Sequence, residues 1–214
     1  MLDSERARLA DAGRELAAER LVLGTAGNLS ARVGGHLLVS PTGVRLGDLR
    51  AEDVAIVNLS GQVLDGPRPP TSELAMHLAL YERADVAAVV HTHAPLGVAV
   101  SCVVDELPCL HYQMLTFGGP VRVAPYATFG SAALAESVRG AMHERTAALM
   151  ANHGSVTVGR DLRTALERTV LLEWACAVYC RASALGQPRS LGPDEIAAVA
   201  AAAKELDYPG LLGD

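Results

Sequence analysis

The sequence predicts an α/β fold: a mixed, largely antiparallel central sheet covered by helices on both faces. Three observations predict it. Helical and strand patterns interleave along all 214 residues. Several strands are joined by turns too short to hold a crossover helix, which disfavours a doubly wound parallel sheet. No stretch reads as a linker between domains, so residues 1–214 are expected to form one domain.

The elements follow in order. Ser4 and the charged residues after it, with Leu9, Ala12, Leu16 and Ala17 on one face, predict an amphipathic first helix ending near Gly24. The small residues from Gly24 to Ser30 form a loop entering a short strand. His36 to Val39 is a strand stopped by Ser40-Pro41-Thr42-Gly43. Val54 to Leu59 and Gln62 to Leu64 flank Ser60-Gly61 as a hairpin. The stiff stretch Gly66-Pro67-Arg68-Pro69-Pro70 leads to Thr71-Ser72-Glu73, where a helix starts, with Leu74, His77, Leu78 and Tyr81 at helical spacing. Val86 to His93 is a strand and Pro95 to Val103 a short helix. Pro108 to Tyr112 and Val121 to Tyr126 are extended, and Ser131 caps a helix to Glu144. Ala147 to Asn152 is an apolar strand that runs through His153-Gly154 and continues from Val156 to Val158. Asp161 caps a long helix, Leu162 to Leu185, closed by Gly186 and Pro188. Pro193 and Asp194 open a last helix to about Leu206.

Composition removes several functions. Half the residues are hydrophobic, a fifth are charged, and the formal net charge is -6, with no Lys/Arg cluster for nucleic acid. Lys204 is the only lysine, in an Ala-rich helix, so Schiff-base catalysis is disfavoured. No apolar run is long enough to span a bilayer, nothing reads as a signal peptide, and the four cysteines form no C-x-x-C. The expectation is a cytoplasmic, reducing compartment with no membrane partner.

His91 and His93 carry the chemistry. At strand period they share a face where Pro95 stops the strand. They are either polar residues at a strand end or half of a metal site. His153 also ends a strand, before a glycine; on its own it is a turn residue. Together the three offer a set for Zn²⁺ or a similar divalent ion with a position left open for substrate. Glu73 is explained by helix-start electrostatics alone, so any further role rests on context. The Gly27-Asn28, Thr42-Gly43 and Thr71-Ser72 turns are each only turns, but without lysine such turns are how this chain would hold a phosphate. His77 reads as a core histidine or one backing the ligands. Trp174 and Tyr179 read as core or interface residues.

Gly24-Thr25-Ala26-Gly27-Asn28-Leu29-Ser30, Ser40-Pro41-Thr42-Gly43, Ser72-Glu73, His91-Thr92-His93-Ala94, His111-Tyr112, Pro125-Tyr126-Ala127-Thr128-Phe129-Gly130 and His153-Gly154 resemble, in order and spacing, the class II aldolase/adducin family. The resemblance covers nearly the whole chain except the final twenty or so residues. It implies one Zn²⁺, or another divalent metal, per subunit on His91, His93 and His153, with Glu73 as a labile fourth ligand and the catalytic acid/base. It implies a substrate pocket from Gly27, Asn28, Thr42, Gly43, Thr71 and Ser72, with Phe129 and Tyr208 nearby. It implies that Tyr112 is catalytic and reaches the site from a neighbouring subunit of a homotetramer. The implied reaction is cleavage of a phosphorylated ketose, L-fuculose 1-phosphate or similar, to dihydroxyacetone phosphate and a small aldehyde. An epimerase or dehydratase on the same site, or a catalytically silent adducin-like module, are the alternatives. Glu73, where related epimerases carry Asp, favours cleavage, and the three histidines disfavour the silent module. Thr71 departs from the usual Ser but keeps the hydroxyl.

Overall fold

The computed structural model describes residues 2–208 and 211. Among these, nine strands form one sheet: β1 (Asn28–Val33), β2 (His36–Val39), β3 (Ala55–Asn58), β4 (Val63–Asp65), β5 (Ala88–Thr92), β6 (Glu106–Leu107), β7 (Val121–Ala124), β8 (Ala147–Met150) and β9 (Gly154–Gly159). Their order is β4-β3-β2-β1-β5-β9-β8-β7-β6. Every pairing is antiparallel except β7 with β8. The helices are α1 (Asp3–Ala18), α2 (Leu74–Leu80), α3 (Pro95–Ser101), α4 (Ala132–Ala141), α5 (Leu162–Leu185) and α6 (Pro193–Glu205). None of them is long and apolar enough to cross a membrane.

Strand alternation divides the core between two faces. On one, Met76 and Leu80 of α2 and Leu134 and Val138 of α4 pack on Val39, Val89, Val156 and Val158. On the other, Leu9 and Leu16 of α1 and Leu166 of α5 pack on Leu29, Leu38 and Val90. Each fully buried side chain of this kind contributes about 1.5–3 kcal/mol of burial free energy. The division has a consequence for chemistry. His91 lies two residues beyond Val89, so its ring belongs to the α2 face, where Glu73 waits.

Four sequence expectations are corrected. The first helix ends at Ala18, not near Gly24. Arg20 takes a left-handed conformation (φ 58°), and the bonds Arg20 N–H to Ala17 O and Leu21 N–H to Leu16 O close a Schellman motif without glycine. Ala147 to Val158 is not a continuing strand but a hairpin, β8 against β9, with Met150 opposite Gly154. Asn152, at φ 55°, makes the reversal. Pro108–Tyr112, expected as a short strand or extended segment, is not a strand: the strand lies earlier, at Glu106–Leu107, and Tyr112 opens a 3-10 helix to Phe117. Finally, Thr71-Ser72-Glu73 is a turn before α2, whose first helical residue is Leu74.

The long helix begins and ends as expected: Asp161 Oδ1 accepts the Thr164 N–H at 2.7 Å, and Gly186 follows Leu185. A less local cap serves α3. Ala94 offers no capping side chain, and instead Glu173 of α5 accepts the Leu96 and Gly97 N–H groups at 2.9 and 2.8 Å.

Candidate metal centre

Three elements deliver four side chains to one point. His91 is the fourth residue of β5, His93 follows that strand, His153 sits in the β8–β9 hairpin, and Glu73 ends the turn before α2. One donor atom from each of the four lies within 4.8 Å of all the others. The imidazole centroids form a nearly equilateral triangle of 4.8, 4.9 and 4.9 Å. His91 Nε2 stands 3.0 Å from His93 Nε2 and 3.1 Å from Glu73 Oε2, while His153 Nε2 is 3.4 Å from Glu73 Oε1.

The residues fit a divalent cation. His91 Nδ1 lies 2.8 Å from Ser155 O, an acceptor only, so the Nδ1–H donates there. With Nδ1–H so engaged, it is Nε2 that faces the cluster, the nitrogen a metal would take. Glu73 Oε1 is buried and has no hydrogen-bond partner, which is costly unless a cation or proton meets it. Three imidazole nitrogens and one carboxylate oxygen are the donor set of Zn²⁺ and similar ions.

The approach of the hairpin to β5 depends on Gly154. A Cβ there would lie 2.2 Å from Thr92 O and 3.3 Å from both His91 and His93. Gly27 is constrained in the same way at the other wall: at φ +87°, a Cβ would fall 2.7 Å from Val22 Cγ1 and 3.1 Å from His91 O.

The cluster opens into a cavity of about 300 Å³. Of the residues singled out in the sequence, Gly27, Asn28, Thr42, Gly43, Thr71, Ser72, Glu73, His93, Phe129 and His153 line it, and His91 lies buried behind. Two do not reach it. Tyr112 is 40% exposed at the start of its 3-10 helix, its ring beside His111, which in turn meets Trp174 edge-on. Tyr208 lies beyond α6, its N–H bonded to Ala203 O. Thr25, Tyr126 and Asn152 also line the cavity, without having been singled out. The first two fall inside stretches that carried the family resemblance; Asn152 had no signal because its turn was hidden. Among the described residues, no Lys or Arg lines the cavity. Thr71 Oγ1 accepts the Glu73 N–H at 3.2 Å, leaving its own O–H to donate.

Electrostatics set the resting charges. Burial works to raise the Glu73 carboxyl. The hydrogen bond and charge of His91, the Asn28 amide and the His153 charge outweigh it and hold Glu73 at about 2. Burial, joined by the neighbouring His91 and His153 charges, lowers His93 from 6.5 to about 4, and burial beside His91 lowers His153 as well. At neutral pH the metal-free site thus holds an ionised Glu73 beside neutral His93 and His153 rings. This fixes the sign of a pH effect. Between about 6.5 and about 4 the unfolded chain binds protons that folded His93 refuses, so metal-free protein is expected to lose stability as pH falls through that interval. Thermal melts of the metal-free protein measure this, and a melting temperature that stays level or rises there contradicts it.

The comparisons with known proteins agree with the geometry. The family model described as Class II Aldolase and Adducin N-terminal domain matches residues 7–180, and the chain belongs to that family. A 5-methylthioribulose-1-phosphate/5-deoxyribulose-1-phosphate aldolase from Rhodospirillum rubrum is 40% identical over 190 residues, covering 88% of this chain and 86% of that one. A 5-deoxy-D-ribulose 1-phosphate aldolase from Bacillus thuringiensis is 37% identical, covering 92% and 93%. A solved L-fuculose 1-phosphate aldolase superposes with a TM-score of 0.89 at 33% identity, over 93% of this chain and 95% of that one. The fold is that of the class II aldolases, and the chain stands with the aldolases of the family, which are carbon–carbon lyases.

Proposed function

We propose that the chain is a Zn²⁺-dependent aldolase that cleaves the C3–C4 bond of a 5-deoxypentulose 1-phosphate to dihydroxyacetone phosphate and a small aldehyde. The observation that carries this is the His91–His93–His153–Glu73 cluster, with its unpartnered Glu73 Oε1, at the base of a cavity ringed by small-residue turns. A bound divalent ion supplies Lewis-acid polarisation of the ketose carbonyl. The chain's own groups do the rest. Thr42, Thr71 and Ser72 hydroxyls with the Gly27 and Gly43 turns hold the phosphate, there being no lysine for it. Glu73, ionised at rest, shuttles the proton at C3. Tyr112 of a neighbouring copy, in a homotetramer, hydrogen-bonds the oxygen at C4 as charge leaves it. Its exposure here, away from its own cavity, suits that assignment. The four free cysteines suit a reducing cytoplasm.

The choice of ketose rests on the rim and on the relatives. Tyr126, Ala127 and Phe129 give the mouth an apolar edge, which favours an aldehyde half without a further hydroxyl. Both relatives described with their organisms are named for 5-deoxyribulose 1-phosphate, and one also for 5-methylthioribulose 1-phosphate. L-Fuculose 1-phosphate, whose aldehyde half carries one more hydroxyl, is the second choice.

A panel of these three ketose phosphates, with coupled detection of dihydroxyacetone phosphate, tests the reading. The 5-deoxy and 5-methylthio substrates should give the higher kcat/KM. Ser72→Ala should raise KM by more than it lowers kcat, because phosphate is held alike in ground and transition states. A free ketose cleaved as well as its phosphate, or no dihydroxyacetone phosphate from any member, rules the reading out.

A further inference from the structure

Behind the metal cluster a buried chain of side chains leads to Glu73, and the reaction above gives no part to Tyr81, Ser30, His77 or Asn28. Tyr81 Oη lies 2.8 Å from Ser30 Oγ, and Ser30 Oγ lies 2.7 Å from His77 Nδ1. His77 Nε2 lies 2.6 Å from Asn28 Oδ1, and Asn28 Nδ2 lies 2.9 Å from Glu73 Oε2. Two periodicities build it. Glu73, His77 and Tyr81 recur every fourth residue along α2 and its ends, while Asn28 and Ser30 share one face of β1. All five are buried, Ser30 and His77 completely.

Proton bookkeeping along this chain has one solution. An ionised Glu73 only accepts, so the Asn28 NH₂ must face it and the Asn28 carbonyl must face His77. That carbonyl accepts from His77 Nε2–H. A neutral His77 then has a bare Nδ1, which accepts the Ser30 hydroxyl proton, and Ser30 Oγ in turn accepts from Tyr81. Every donor points toward Glu73. Burial holds His77 neutral, at about 3.

We propose that this relay is a positioning device for Glu73, in which His77, through its Nε2–H, locks the Asn28 amide so that its NH₂ grips Oε2 and leaves Oε1 as the oxygen that exchanges protons. His77, Asn28, Ser30 and Tyr81 are positioning residues, not catalytic ones. Oε2 already takes the Asn28 N–H and lies 3.1 Å from His91 Nε2, whereas Oε1, 3.4 Å from His153, has no hydrogen-bond partner. Without His77 the buried Asn28 carbonyl loses its donor, and the amide that grips Oε2 is anchored at one end only. The inference rests on the aldolase reading for its effect on rate, but not for its geometry. It also assigns Asn28 a role beyond the substrate pocket, since both ends of its amide are engaged away from any phosphate.

The test has two arms. In metal-free protein with ¹⁵N-labelled histidine, the His77 ring should carry its proton on Nε2 at neutral pH. A proton on Nδ1 reverses the relay and overturns the proposal. In the metal-loaded enzyme, His77→Phe should lower kcat about tenfold to a hundredfold, as loss of a group that orients a metal ligand does. KM for the ketose phosphate should stay near the parent value. His77→Gln, which keeps an N–H for Asn28, should recover most of the rate. Parental kcat in the Phe variant, or a folded Gln variant no faster than the Phe variant, overturns the proposal; so does a rise in KM without loss of kcat. If the Phe variant does not fold, the tautomer decides. A parent that cleaves no ketose phosphate yet carries the Nε2 proton overturns the assigned reaction and leaves the positioning standing.

Discussion

Glu73→Gln protein is expected to fold and retain its divalent ion, yet to turn over about a hundredfold more slowly than the parent or worse, the loss expected when a positioned acid/base is removed. The surroundings explain both halves of this result. Asn28 Nδ2 at 2.9 Å donates to Oε2 and will select the oxygen of the new amide. The amide NH₂ is then forced to the Oε1 position, 3.4 Å from His153, where it can neither take a proton nor return one. The fold loses only a charge, because the turn before α2 is closed by backbone and Thr71 bonds. A rate barely changed would return Glu73 to a helix-start acid. The same variant tests the shared site. Tyr112→Phe should also be nearly inactive, and the two inactive chains, unfolded and reassembled together, should regain part of the parent rate. Some sites in the hybrid then draw Glu73 from one copy and Tyr112 from another. No recovery, with hybrids confirmed by native mass spectrometry, puts Tyr112 in its own chain's site or outside the reaction.

Removing any one of His91, His93 or His153 is expected to abolish metal and activity together. Purified protein should hold about one divalent ion per chain, lost to a chelator and restored by adding metal back. The triangle of rings makes the effect severe. With centroids under 5 Å apart, the three nitrogens face one another, and two cannot reproduce the set that three supply. His91→Ala has a second cost, since it also vacates the ring that holds Ser155 O and Glu73 Oε2. His93→Ala, on a residue beyond the strand, is the cleaner variant. Full activity from metal-free protein, or from His93→Ala without metal, contradicts the assignment.

The sequence made much of this legible where one short-range period carried the information. His91 and His93 share a face because a strand alternates. The 24 residues of α5 are bounded by Asp161 and Gly186, each with a local chemical reason. The turns of the cavity showed as clusters of small residues. What stayed hidden lacked a local mark or needed topology. The β8–β9 reversal turns on Asn152 inside two apolar runs, so it read as one strand. The end of α1 uses Arg20 where glycine is the usual signal. His77 was visible as the residue one turn after Glu73, but its partners lie 49 and 47 residues away on β1. Only the pairing of β1 beside β5 brings them within reach.

The Glu173 cap has a mechanical consequence. The strand that bears His91 runs through His93 into α3 almost at once, and the first turn of α3 is tied to α5, a strut ~36 Å long at 1.5 Å per residue. His93 therefore has no slack behind it: to shift along the strand it must drag a short helix and lever a long one. Glu73 hangs from shorter rigging, a seven-residue helix approached through Gly66–Pro70, its carboxylate fixed by the Asn28 amide and its N–H by Thr71. The nitrogens are thus the anvil of this site, and the carboxylate, on the shorter element, is the hammer whose aim depends on the relay behind it.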